Sequence, residues 1–214
     1  NYIPQQTNNK KKIGRMKQLL RTPLFIGIYF VGGLLMGSFV SVYNYLSFIL
    51  ESPRFGLPHY LVAMIFMMYI TGVAGSIVTG KLSDKHNPGM LLKSSIILML
   101  LGLLLMMIME LWSIIVGLGI MTFSFFSAHT MASRIISLNA GEAKSSATCL
   151  YWLFYYSVSS IAGWITGVIL DAYGWNIFIT VLFGLTVIAL ILSGIVSKKP
   201  YGHLLKLPQN VSMP

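Results

Sequence analysis

Charged side chains punctuate this chain at a few places and leave long apolar runs between them. Residues 22–50, 55–80, 94–109, 111–133, 145–170 and 172–197 contain no Asp, Glu, Lys or Arg. About 20 apolar residues rising ~1.5 Å each cross a hydrocarbon core of ~30 Å, so the pattern predicts six membrane-spanning helices. The run 94–109 is the shortest, and Leu91 and Leu92 extend it toward the required length. The runs are continuous rather than alternating, which excludes the strands of a β-barrel. Backbone groups in lipid must then be satisfied inside helices. The basic start from Lys10 to Arg21 precedes an apolar run too long for a secretory signal, with no small-residue cleavage site before the next loop.

Composition agrees with this reading: 56% of the 214 residues are hydrophobic and 9% charged, against roughly a quarter charged in soluble domains. The net charge of +10 would suggest a nucleic-acid partner in a soluble protein. Its distribution points elsewhere. Lys10, Lys11, Lys12, Arg15, Lys17 and Arg21 precede the first run, Lys81, Lys85 and Lys93 follow the second, Arg134 and Lys144 follow the fourth, and Lys198, Lys199 and Lys206 follow the sixth. On a six-span path all of these fall on one side, and only Arg54 falls on the other. The positive-inside rule makes the basic side cytoplasmic, with both termini inside a bacterial cytoplasmic membrane. Cys149 stands alone, which excludes an internal disulfide.

The chain therefore divides into a basic segment (1–21), a six-helix membrane unit (22–197) and a cytoplasmic tail (198–214). The first segment reads equally as a linker to something upstream or as a solvated tail near anionic headgroups. Asn210-Val-Ser212 matches a glycosylation acceptor but lies on the inner side, so it is discounted. On the outer side Glu110-Leu-Trp112 and Asp171-Ala-Tyr-Gly-Trp175 are short connections, which imply antiparallel neighbours and place Trp112 and Trp175 at the outer interface. Gly80-Lys-Leu-Ser-Asp84 closes the second span and Gly167-Val-Ile-Leu-Asp171 the fifth, 87 residues apart. That is close to half the membrane unit and suggests two three-helix repeats of opposite topology, an arrangement found in transporter folds.

Catalytic chemistry is sparse. Gly75-Ser-Ile-Val-Thr-Gly80-Lys81 nearly spells a phosphate loop, but Leu82 replaces the required hydroxyl residue and the stretch closes an apolar helix. No paired His, nucleophile elbow or carboxylate pair is present, so the sequence predicts neither an enzyme nor a metal or cofactor site. His129 is the one ionisable side chain well inside an apolar run. It reads either as a neutral bond to a neighbouring helix or as a functional group, because charge at that depth costs about 2.5–3.5 kcal/mol or more. Tyr43, Asn44, Tyr151, Tyr155 and Tyr156 place polar tips in the first and fifth spans, as cavity lining or as interhelical bonds. Asn44 is expected to point into the bundle. Gly72, Gly75, Gly163 and Gly167, with Gly32, Gly33 and Gly37, are expected to allow close helix packing. Asp84 reads as a solvated turn or as a latch toward a helix N-terminus or basic partner.

The stretch GKLSDKHNPGMLLK (80–93) resembles the loop signature of the major facilitator superfamily, roughly Gly-x-Leu-Ala-Asp-Arg-x-Gly-Arg-Lys. Gly80, Leu82, Asp84 and Lys85 fit it, whereas Asn87, Pro88 and Gly89 stand where the signature has Gly, Arg and Lys. That weaker form resembles the copy in the C-terminal half of the family. Val42-Tyr-Asn-Tyr-Leu46, Ala128-His-Thr-Met-Ala-Ser133, Tyr151-Trp-Leu-Phe-Tyr-Tyr156 and Tyr173-Gly-Trp175 are similar to bacterial inner-membrane permeases of the sugar-efflux and drug-exporter branch.

The resemblance implies an all-α six-helix bundle, half of the superfamily fold, built as 3+3 inverted repeats. It implies alternating access against a missing N-terminal half. The first, second, fourth and fifth spans would line the cavity and the third and sixth would brace it. Protons would couple to export of small organic solutes, through His129 or a residue of the other half. Two further readings stay open: a non-transporting or truncated six-helix protein, and a half-size unit that dimerises.

Overall fold

A computed structural model describes residues 9–197, with side chains from residue 13. The tail 198–214, the Asn210-Val-Ser212 pattern and residues 1–8 lie outside the described residues. All regular structure in the described residues is helical. α1 (Asn9–Leu19) is followed by α2 (Pro23–Glu51), α3 (His59–Leu82), α4 (Pro88–Met107) and α5 (Leu111–Asn139). A helical stretch, Lys144–Ser197, is interrupted by non-helical backbone at Gly174 and divides into α6 (144–173) and α7 (175–197).

Sequence sets these boundaries locally. Thr22 precedes Pro23, whose missing N–H and fixed φ suit the first helical position of α2. Asn87 caps α4, its Oδ1 accepting from Gly89 N at 2.8 Å, with Pro88 at the first helical position. The three residues that depart from the loop signature thus serve as a helix start. At Gly174, φ of 76° and ψ of −177° lie in a region open essentially to glycine alone.

The helical stretch could be read as one overlong rod, but its contacts show that it folds back. Gly33 faces Val158 and Gly37 faces Ala162, and Ser41 shares a 2.8 Å hydrogen bond with Thr166, so α2 and α6 run in parallel. Gly27 faces Val196, the Ser38 hydroxyl donates to Leu182 O, and Tyr45 packs on Phe178, so α2 and α7 run antiparallel. The chain therefore reverses at one residue and makes six passes. The expected five-residue outer connection is nearly absent, because the helix continues to residue 173.

The same contacts display the inverted repeat. α3 lies parallel to α5, with Thr71 donating to Gly119 O, Thr130 to Ser76 at 3.1 Å, and Gly75 against Phe123. That pairing is the counterpart of α2 with α6. α4 and α5 cross antiparallel at Gly102 and Gly117, the counterpart of α7 with α2. The two exchanged pairs meet on the pseudo-axis, α2 with α5 through Tyr43 and Thr122, and α4 with α7 through Trp175 and Met106. The small residues at these crossings let the backbones approach, which is how helices gain dispersion energy in lipid.

Two placements differ from the sequence reading. Residues 9–19 of the basic segment form a helix, with Leu19 buried and Arg15 paired to Glu142 at 2.7 Å. Trp175 is buried rather than at the lipid interface, because its indole N–H donates at 2.8 Å to Met106 O, one of the unpaired carbonyls at the end of α4. Trp112 is exposed at 78%.

Candidate functional site

One connected run of rings crosses the bundle. It begins in α3 with Phe66 and Tyr69, passes to Tyr43 and Phe39 in α2, then to Phe125 and His129 in α5, and ends in α6 with Tyr151, Trp152, Tyr155 and Tyr156. Phe39 and Phe125 stack at 4.1 Å and an interplanar angle of 13°. His129 is surrounded, with ring centroids at 5.7 Å for Tyr151, 5.5 Å for Trp152 and 5.3 Å for Tyr155. α4 has no aromatic residue, and the aromatic pair Trp175 and Phe178 lies at the N-terminal end of α7 against Tyr45. The run is therefore built by α2, α3, α5 and α6 alone.

Helix periodicity explains the convergence. Phe125 and His129 are four apart in α5, as are Phe39 and Tyr43 in α2 and Trp152 and Tyr156 in α6, and residues at that spacing share a helix face. Tyr43 is fixed by a 2.8 Å hydrogen bond with Thr122, and Tyr151 by a 3.0 Å contact between its hydroxyl and His129 Nδ1. Gly32 leaves the space that the Tyr151 ring fills, since a Cβ there would collide with it. Gly32, Leu35, Phe125, Ala128, His129, Ala132, Tyr151 and Tyr155 line a crevice at this point, too narrow to hold a water molecule.

The residues singled out from sequence divide into groups. Tyr43, Tyr151 and Tyr155 are buried, Tyr156 is exposed, and His129 is intermediate, all within the ring run. Asn44 does not point into the bundle as expected. With Tyr43 pinned to Thr122, the next side chain turns about 100° away, and Asn44 is exposed on the outside of the six-helix unit. Gly72 and Gly75 face Phe126 and Phe123, and Gly167 faces the Tyr45 ring, whereas a Cβ at Gly163 would meet nothing. The carbonyl of Gly163 instead accepts from the Tyr45 hydroxyl at 3.1 Å.

Gly80, Leu82, Asp84 and Lys85 lie at the C-terminal end of α3, away from the rings. Ser83 donates to Gly80 O at 2.6 Å, and Arg134 Nη2 donates to Asp84 Oδ1 at 3.1 Å. Leu82, Asp84 and Lys85 are exposed. The sequence reading left out Phe39, Phe66, Tyr69 and Phe125, and also Thr122. The spacing of Phe125 to His129 carried that information, while Thr122 had no distinguishing signal. Among the described residues no three His, Cys, Asp or Glu stand together as metal ligands.

The arrangement offers aromatic faces, phenol, indole and imidazole groups, and no fixed charge. Such a wall presents stacking surfaces and a few hydrogen-bonding groups.

Residues 3–163 match the family model described as Major Facilitator Superfamily. The chain is 36% identical over 163 residues to an uncharacterized transporter of Buchnera aphidicola subsp. Schizaphis graminum, covering 76% of this chain and 40% of that protein. It is 29% identical over 196 residues to the uncharacterized MFS-type transporter YybF of Bacillus subtilis, covering 90% of this chain and 48% of the relative. With the inner membrane transport protein YnfM of Escherichia coli it shares 35% identity over 145 residues, 68% of this chain and 35% of that one. The chain thus spans less than half the length of these relatives.

Proposed function

The chain belongs to the major facilitator superfamily, and on that premise we propose that it is the C-terminal six-helix half of a secondary active transporter that exports small organic solutes by alternating access. It is a multi-pass membrane protein of a non-enzymatic transport family. The observation that carries the proposal is the confinement of the ring run to α2, α3, α5 and α6. Those four helices form the cavity wall, and α4 and α7 brace it from behind.

Asn44 supports the same picture. A primary amide turned outward in the last turns of α2 is costly against hydrocarbon, so that face meets water or protein. An N-terminal half completes the chamber there, and the two halves rock about the solute. The coverage of less than half of each relative supports a partner half of similar size.

Both termini are cytoplasmic, which the basic residues at the inner ends of the helices support. Protons are the coupling ion, and the coupling group is His129 or a residue of the other half. The segments Val42-Tyr-Asn-Tyr-Leu46 and Tyr151-Trp-Leu-Phe-Tyr-Tyr156, by their resemblance to the sugar-efflux and drug-exporter branch, support a place in it. The decisive experiment is uptake and efflux in vesicles carrying the full-length protein, with and without a proton gradient. Transport that ignores the gradient would remove the coupling, and an inert protein would favour the non-transporting reading. Activity from this unit as a dimer would favour the half-size reading.

A further inference from the structure

The proposed cavity wall has a composition that selects among solutes, and the inference drawn from it rests on the transporter reading above. Its open surface lies at the two ends of the ring run. Phe66 and Tyr69 of α3 are 53% and 37% exposed, and Trp152 and Tyr156 of α6 are 38% and 58% exposed. Trp152 and Tyr156 lie nearly parallel, with an interplanar angle of 21° and centroids 5.7 Å apart, so together they present a ring-faced surface. α3 and α6 are counterparts in the inverted repeat, so each repeat contributes one exposed aromatic pair.

Three features narrow the chemistry. First, the runs 22–50, 55–80, 111–133 and 145–170, which supply this wall, contain no Asp, Glu, Lys or Arg. A charged solute would lose its hydration and gain no countercharge from this half, and the attraction of ring faces for a cation is smaller than that loss. Second, the wall is poor in the carboxamides that suit sugar recognition. Rejection or acceptance of a hydroxyl-rich solute needs several fixed donors and acceptors, and in these four runs Asn44 is the only carboxamide, with no Gln. Third, the groups beside the exposed rings are sparse: His129, whose ring lies 5.5 Å from Trp152, and the phenols of Tyr155 and Tyr156. These suit one or two acceptors on an otherwise apolar plate.

We infer that the solute is an uncharged, planar aromatic or heteroaromatic molecule, bound by stacking on Trp152 and Tyr156, rather than a sugar or an organic cation. Within the branch that the sequence resembles, this selects the drug-exporter side.

The test titrates the full-length protein in lipid nanodiscs with three probes: 2-naphthol, a naphthyl trimethylammonium cation, and lactose. Only saturable binding above that of empty nanodiscs is scored. 2-Naphthol binds at least about tenfold more tightly than either of the others. Trp152→Leu and Tyr156→Ala each weaken it about tenfold, as loss of a stacked ring predicts. Trp152→Phe, which keeps a ring, stays within about threefold of the parent. Tighter binding of the cation or of lactose overturns the inference, and so does unchanged 2-naphthol binding in Trp152→Leu.

A counterflow assay in proteoliposomes separates this inference from the transporter reading. Saturable binding of 2-naphthol without movement of any solute removes the carrier role and leaves the site. Movement of another solute with no 2-naphthol binding leaves the carrier and removes the site chemistry.

Discussion

Asp84 and Arg134 meet toward the C-terminal ends of α3 and α5, with Arg134 Nη2 donating to Asp84 Oδ1 at 3.1 Å. The pair joins the two inverted repeats of one unit, since α3 belongs to the first and α5 to the second. Both side chains are open to solvent, at 69% for Asp84 and 39% for Arg134, and exposed pairs of this kind contribute only about 0–1 kcal/mol. Its removal is therefore a test of motion more than of folding. Asp84→Asn is expected to shift unfolding in detergent by no more than about 1 kcal/mol, and to slow turnover while leaving solute binding intact. Turnover at the parent rate would end any latch role for Asp84.

His129 and Asn44 are tested together because they sit on different surfaces. His129 is bonded to Tyr151 inside the ring run, and Asn44 is turned away from it. Either His129→Ala or Asn44→Ala is expected to lower transport with membrane abundance unchanged. Tyr151→Phe keeps the ring and loses the hydroxyl contact, at a stability cost of about 0.6–2 kcal/mol. Parent-level transport in both Ala variants would remove these two side chains from the site.

The glycines predict opposite signs from the same substitution. A Cβ at Gly75 would press on the Phe123 carbonyl and one at Gly72 on the Phe126 ring, whereas one at Gly163 would meet nothing. Gly75→Ala is expected to destabilise by about 1–3 kcal/mol through overpacking. Gly163→Ala is expected to be neutral or to stabilise by up to about 1 kcal/mol through helix propensity. Thermal unfolding in a single detergent compares them directly, and equal effects would contradict the crossing geometry.

The reversal at Gly174 places Glu142 and Ser197 on the same side of the membrane. Cysteines introduced at those two positions, with Cys149 replaced, should be labelled from one side only by a membrane-impermeant maleimide. Labelling from opposite sides would mean five passes instead of six. Gly174→Ala, forced to φ of 76°, should cost about 1–3 kcal/mol.

Much of this architecture was legible because lipid imposes a coarse rule. Charge deep in hydrocarbon is costly, so each of the six passes announced itself as a gap between charges. What the rule does not encode is rotation about each helix axis. Polarity alone places Asn44 in the interior, whereas the bond from Tyr43 to Thr122 that fixes the azimuth of α2 joins residues 79 apart in sequence. An amphipathic ring beside a loop likewise places Trp175 at the membrane interface, while the acceptor it satisfies, Met106 O, belongs to a helix 69 residues away.

α1 was missed because its polar composition shows no apolar run. Its order comes from tertiary partners, the buried Leu19 and the link from Arg15 to Glu142. The ring run was half visible, in the tyrosines and His129. Phe39 and Phe125, which connect its two ends, look like any other apolar residues in a membrane helix.

α6 and α7 are joined by one glycine, with almost no slack between them at the outer rim. If one tilts, the other must swing with it, so the pair behaves as a single stiff bracket rather than as two independent columns. An epitope or protease site inserted there would have no ribbon of chain to occupy, and would splay the bracket instead of decorating it.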